Sequence, residues 1–200
     1  MTLTLGKTHR PLTDFDFRAD DAFEDSADLK EGFRQLYDTA LYTDDMPALN
    51  RKTFHYVFVY GTLRKSYRNH ATLANSELVG CGFSTLDRYF MANNRKFNYP
   101  VAFFDNQPET RGRLYGEVYK VYPTTLMSMD YLESNGLMFK RHLLSFDVAD
   151  SSNVKQQVKA WAYIGCRDFW NDRIEHLTAL RRSTPRNGQP PYFIYTKEYE

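Results

Sequence analysis

No stretch of eighteen apolar residues occurs in this 200-residue chain, so no membrane-spanning helix is expected, and the first residues lack the apolar core of a signal peptide. Cysteine is nearly absent. Cys81 and Cys166 stand alone with no CxxC pair, which excludes a disulfide framework and a zinc-ribbon pattern. The five histidines (His9, His55, His70, His142 and His176) show no metal-ligand spacing, so no metal site and no cofactor are expected. A net charge of +1 argues against a large nucleic-acid footprint. Arg167, Arg173, Arg181, Arg182 and Arg186 are interleaved with Asp168, Asp172 and Glu175, which reads as a solvated helix face. Internal repeats and low-complexity tracts are missing too. Together these absences predict a cytoplasmic, metal-free protein without nucleic-acid or membrane partners.

What the chain has in quantity is aromatic residues. Fifteen Tyr and fifteen Phe, within a 42% hydrophobic composition, suffice for a sizeable core in one domain with an appendage. The division falls near residue 50. Residues 1–50 read as an acidic extension and 51–200 as the main domain. Between Asp14 and Asp45 there are eleven acidic residues against Arg18, Lys30 and Arg34. Ser26 suits a helix cap, and Leu29, Phe33, Leu36, Ala40 and Leu41 then share one helical stripe. Such a stripe must dock, either on its own domain or, through residues 14–45, on a protein partner.

Beyond residue 50 extended and helical segments alternate. Residues 54–60 read as a strand, with Phe54, Tyr56, Phe58 and Tyr60 on one face and Val57 and Val59 on the other. Apolar residues on both faces predict a central strand. Gly61 follows, where the missing Cβ permits a sharp turn and a close ligand approach. Successive N–H groups at such a turn can converge on an anion. Residues 68–77 read as helical, 78–91 and 99–104 as extended, and 114–121 as a strand. Pro123 opens a helix carrying Leu126, Met129 and Leu132, closed by Asn135-Gly136. Residues 139–148 and 154–163 read as an antiparallel pair joined through 150–153. Residues 168–182 read as a final amphipathic helix with Trp170, Ile174 and Leu177 inward. The expected fold is α+β, a small mixed, barrel-like sheet with peripheral helices.

These landmarks, in this order, resemble the γ-glutamylcyclotransferase superfamily, and most closely its γ-glutamylamine cyclotransferase-like branch. Tyr60-Gly61-Thr62-Leu63 after a hydrophobic strand is similar to the family's binding loop, followed by Asn69-His70-x-x-Leu73. Tyr99-Pro100-Val101 and Gly116-Glu117-Val118-Tyr119 resemble two further segments. Met129-Asp130-Tyr131-Leu132-Glu133 resembles the helix that carries the catalytic carboxylate. Phe139-x-Arg141 stands where members often have Tyr-x-Arg. The resemblance covers roughly residues 54–165. Two departures are Phe139, which lacks the usual hydroxyl, and Ser134-Asn135-Gly136 after the glutamate.

The resemblance implies an enzyme that releases an amine from a γ-glutamyl amide or peptide and forms 5-oxoproline, without a cofactor. Glu133 is then the proton acceptor and Tyr60, Gly61, Thr62 and Leu63 hold the substrate, with Arg64, Tyr99, Glu117, Phe139 and Arg141 as secondary candidates. Glu117 is open to a second role, a structural pair with Arg141. His70, beside Asn69, reads as a structural hydrogen-bonder, with a general base in another scheme as the alternative. Asp130, one turn before Glu133, is placed either to raise the Glu133 pKa as a like charge or to cap a neighbouring segment. The alternative to the enzyme is a non-catalytic relative that binds a metabolite, or a protein through the extension.

Overall fold

A computed structural model describes residues 54–183 and 190–199. The acidic extension, its stripe and Arg186 lie outside the described residues, as does the choice between self-docking and a partner. Strand β1 (His55–Val59) runs apolar from Val57 onward and enters the core there, with Val57, Phe58 and Val59 all buried. The expected four-residue aromatic face is only half inside. Phe54 and Tyr56 are each 40% exposed, because the strand emerges from the barrel at its start.

The remaining elements are β2 (Glu77–Ser84), β3 (Tyr89–Asn94), β4 (Tyr99–Phe104), β5 (Arg113–Val121), α1 (Pro123–Leu132), β6 (Phe139–Ala149), β7 (Lys155–Gly165), α2 (Arg167–Asn171), β8 (Leu177–Ala179) and β9 (Tyr192–Phe193). Hydrogen-bonded neighbours run β1–β7–β6–β2–β5, and β5 pairs back onto β1, so five strands close a barrel. Closure leaves these strands without a free edge. β1 lies parallel to β7 and antiparallel to β5, so the sheet is mixed. β9 pairs in parallel with the first residues of β5, Arg113 and Leu114, and β4–β3–β8 form a second sheet. The architecture is α+β with a barrel-like mixed sheet.

Several local readings change. The expected extended run 78–91 is two strands in different sheets, broken between Ser84 and Tyr89. The expected helix 68–77 is a single 3-10 turn, His70–Leu73, which buries only Leu73. The expected final helix 168–182 is α2, a 3-10 turn at Ile174–His176, and β8. Trp170, Ile174 and Leu177 do point inward, but backbone pairing with β3 draws residues 177–179 into a strand. The basic residues there are correspondingly not a solvated helix face. Arg167 donates to the Phe104 carbonyl, Arg173 to Phe169, and Arg182 to Arg111.

Helix α1 begins with Pro123 at its first position, where the absent N–H costs nothing, and it buries Leu126 and Met129. Each burial contributes about 1.5–3 kcal/mol. The helix ends at Leu132 with Glu133 as its C-cap, and the chain escapes through positive φ at Ser134 (46°) and Gly136 (96°). Left-handed backbone is expected at Asn135-Gly136; it falls on Ser134 and Gly136, while the Asn135 side chain instead accepts from the Arg141 N–H. Among the described residues, no helix is long and apolar enough to cross a membrane.

Candidate active site

The cavity forms where the end of β1, the C-terminus of α1 and the start of β4 meet. Its volume is about 410 Å³. Tyr60, Gly61, Thr62, Leu63, Tyr99, Glu133 and Phe139 all line it, together with Phe97, Met138 and Tyr163. The loop and the glutamate, 70 residues apart in sequence, face the same space.

The loop is shaped from behind. Asn69 donates through Nδ2 to Thr62 Oγ1 at 3.0 Å, and its N–H donates to the Thr62 carbonyl at 3.0 Å. His70 Nδ1 lies 3.1 Å from the Leu63 carbonyl, the structural role rather than that of a base. Glu117 accepts from the Lys65 N–H at 2.8 Å and from the Tyr119 hydroxyl at 2.9 Å, and lies 3.6 Å from Arg64 Nε. Arg64 in turn donates to the Tyr195 carbonyl and sits between the rings of Tyr67 and Tyr115. Glu117 and Arg64 therefore buttress the loop and do not line the cavity. The Glu117 partner is Arg64, not Arg141.

With carbonyls and side chains clamped in this way, the N–H groups of Gly61, Thr62 and Leu63 donate to no other group among the described residues. Three consecutive N–H groups at a turn on a cavity wall can converge on an anion. Gly61 is required by close approach and not by its φ. A Cβ there would lie 2.5 Å from Pro100 Cγ, so the glycine admits the Pro100 ring that lines the cavity beside it.

Tyr60 closes the inner end. Its hydroxyl donates to the Tyr163 carbonyl at 2.6 Å and accepts from the Ala102 N–H at 3.3 Å, tying β1 to β7 and to the second sheet. The Tyr163 hydroxyl donates to Asp130 Oδ1 at 2.7 Å, and Arg141 donates to Asp130 Oδ2 at 2.6 Å. Asp130 is thus a committed structural carboxylate, and Arg141, stacked on Trp161, belongs to that pair and not to the cavity. No ion pair or side-chain hydrogen bond among the described residues engages Glu133. The residue is only partly accessible, and burial alone pushes its carboxyl up to about 7. Asp130 is not the cause.

Burial and the Glu133 charge also push the Tyr60 and Tyr99 phenols well above their ordinary value, so both remain protonated donors. The Tyr99 hydroxyl is buried and makes no hydrogen bond of ordinary geometry, although the Asn94 side chain lies within reach of it and lowers its pKa. Phe139 is buried against Tyr99 and Trp170, filling the wall with a ring and no hydroxyl. Sequence reasoning assigned no role to Arg68, Phe97 or Tyr163, which also line the cavity. No group of three His, Cys, Asp or Glu among the described residues is arranged to hold a metal.

Residues 57–180 match the family model for γ-glutamyl cyclotransferase, AIG2-like. A provisionally named γ-glutamylcyclotransferase of Methanocaldococcus jannaschii is 35% identical over 109 residues, 54% of this chain and 82% of the relative. A second provisionally named γ-glutamylcyclotransferase, of Vibrio cholerae, is 36% identical over 87 residues, 44% of this chain and 69% of the relative. γ-Glutamylaminecyclotransferase B of Danio rerio is 30% identical over 112 residues, 54% of this chain and 57% of the relative. The chain belongs to this family of γ-glutamylcyclotransferase-like enzymes.

Proposed function

We propose that this family member releases an amine from a γ-glutamyl amide by cyclising the glutamyl group to 5-oxoproline, with Glu133 moving the proton. What supports the reading is the meeting, in one cavity, of an uncommitted carboxyl with three uncommitted N–H groups. The donors at Gly61, Thr62 and Leu63 hold the substrate's α-carboxylate. The α-amine is thereby turned toward its own γ-carbonyl, so that nucleophile and electrophile approach as parts of one molecule.

The new bond joins the α-nitrogen to the γ-carbon, and the bond that breaks joins the γ-carbon to the leaving amine. An α-amine has an ordinary pKa of about 8, so an acceptor that titrates at about 7 is well matched near neutrality. Glu133 takes a proton from the attacking nitrogen and returns it to the departing one. No water and no cofactor enter the balance.

The test is incubation of the full chain with a panel of γ-glutamyl compounds, following 5-oxoproline and the released amine together. Equal amounts of the two are expected with at least one substrate. Absence of 5-oxoproline across the panel would overturn the reading.

A further inference from the structure

The mechanism above uses the cavity's loop and its carboxyl but leaves its cation idle. Arg68 is the only positively charged residue on the cavity wall among the described residues, and it is exposed rather than paired with an acid. It follows the loop by five residues and reaches across to the turn between β3 and β4. There one guanidinium nitrogen, Nη2, donates to the carbonyls of both Phe97 and Asn98, the latter at 3.1 Å. Asn98 has φ 50°, and its carbonyl also accepts from the Tyr195 hydroxyl at 2.7 Å, so the anchor is itself fixed. Two carbonyls thus hold one corner of a planar fork, and none of the contacts described for Arg68 engages Nη1 or Nε.

A guanidinium held in place with donors to spare is suited to a planar oxyanion, a carboxylate above all. The Phe97 and Tyr99 rings, stacked at 6.4 Å, stand on the same wall. The Arg68 charge acts on Tyr99 but is not among the influences on Glu133, whose shift comes from burial alone. Arg68, bonded to the Phe97 carbonyl, lies on the Phe97–Tyr99 side of the cavity.

We infer that Arg68 binds a carboxylate carried by the leaving amine, so that this chain prefers γ-glutamyl amino acids over γ-glutamyl amines that lack an acid group. The inference rests on the cyclisation reading above and names its substrate class. A γ-glutamyl amino acid has two carboxylates. The loop N–H groups take the glutamyl one, and Arg68 takes the one released with the amine.

The experiment compares γ-glutamylalanine with γ-glutamylethylamide in the wild-type chain, Arg68→Gln and Arg68→Lys. The wild type is expected to favour γ-glutamylalanine in kcat/KM. Arg68→Gln should lower kcat/KM for γ-glutamylalanine about tenfold or more, mainly through KM, and leave the ethylamide within about twofold. Lys keeps the charge but not the fork, and should restore only part of the loss. An equal loss on both substrates, or none on either, would overturn the assignment. The same pair is titrated calorimetrically into Glu133→Gln, with and without Arg68→Gln. Selective loss of γ-glutamylalanine binding supports the role of Arg68 even where turnover is absent, and equal binding of the two compounds refutes it. Failure of all turnover would count against the cyclisation reading alone.

Discussion

Replacing Glu133 by Gln should slow the enzyme and stabilise it at high pH. The side chain keeps its size, and no hydrogen bond or ion pair among the described residues is broken. The carboxyl is raised by burial from 4.5 to about 7. Each pH unit of displacement corresponds to about 1.4 kcal/mol, which caps the effect at about 3 kcal/mol. Because the residue lines a cavity that solvent reaches, about 2 kcal/mol is the expected value. The sign follows from which form the fold prefers. A carboxyl raised in the folded state adds stability that is fully present below about 4.5 and is lost as pH rises through about 7. The neutral amide keeps that stability throughout. The melting temperature of Glu133→Gln should therefore equal the wild type's near pH 4 and exceed it by roughly 4–8 °C at pH 8.5. Calorimetric scans at the two pH values read this directly. Turnover should fall by at least ~10²-fold, and the wild-type kcat/KM should rise through an apparent pKa near 7. A melting difference that is the same at both pH values would refute burial of this carboxyl. Unchanged turnover would remove Glu133 as the proton acceptor.

Gly61→Ala places a Cβ against the Pro100 ring, so ligand affinity should drop and stability fall by about 1–3 kcal/mol, read from KM and from urea midpoints. Glu117→Gln leaves Arg64 without its carboxylate and weakens the hold on Lys65. About 2–3 kcal/mol of stability should be lost, and kcat should fall less than in Glu133→Gln, since Glu117 lies behind the loop. Asp130→Asn weakens a buried pair with Arg141 and the bond from Tyr163, costing about 3 kcal/mol in a denaturant titration. Tyr60→Phe removes the hydroxyl that joins the barrel to the second sheet, for about 1–2 kcal/mol by the same measurement.

Elements with a strong local signature were legible in the sequence. Pro123 marks the first turn of α1 because only there does its missing N–H cost nothing, and the run Leu114–Val121 is apolar enough to be a strand in any context. The long hairpin of β6 and β7 was visible from two alternating runs around Asp150-Ser151-Ser152-Asn153. The segment after Cys166 was not legible. Its inward residues were identified correctly, yet periodicity alone cannot show that β3 presents an edge to Leu177–Ala179, and that edge converts a helical pattern into a strand. The exposure of Phe54 and Tyr56 has a similar origin. Alternation shows which residues share a face, but not where along the strand the barrel ends.

The site divides along the same line. The loop residues and Glu133 were named from a motif order, and the cavity gathers them; Arg64, Glu117 and Arg141 came from the same motifs and stand outside it. Motif membership does not distinguish a residue that lines a cavity from one that holds its wall, since the wall fails as readily as the lining when either is lost. Charge accounting does distinguish them. Glu117 has Arg64, Lys65 N–H and Tyr119, and Asp130 has Arg141 and Tyr163, so each buried carboxylate is spent on structure. Glu133 has no such partner, and a carboxyl that burial raises without compensation is costly to keep unless it acts. Arg68 presents the converse case, a cation fixed by carbonyls on its donor side and opposed by no acid. Among the charged residues that line the cavity, Glu133 and Arg68 are the two, and neither has an ion-pair partner among the described residues.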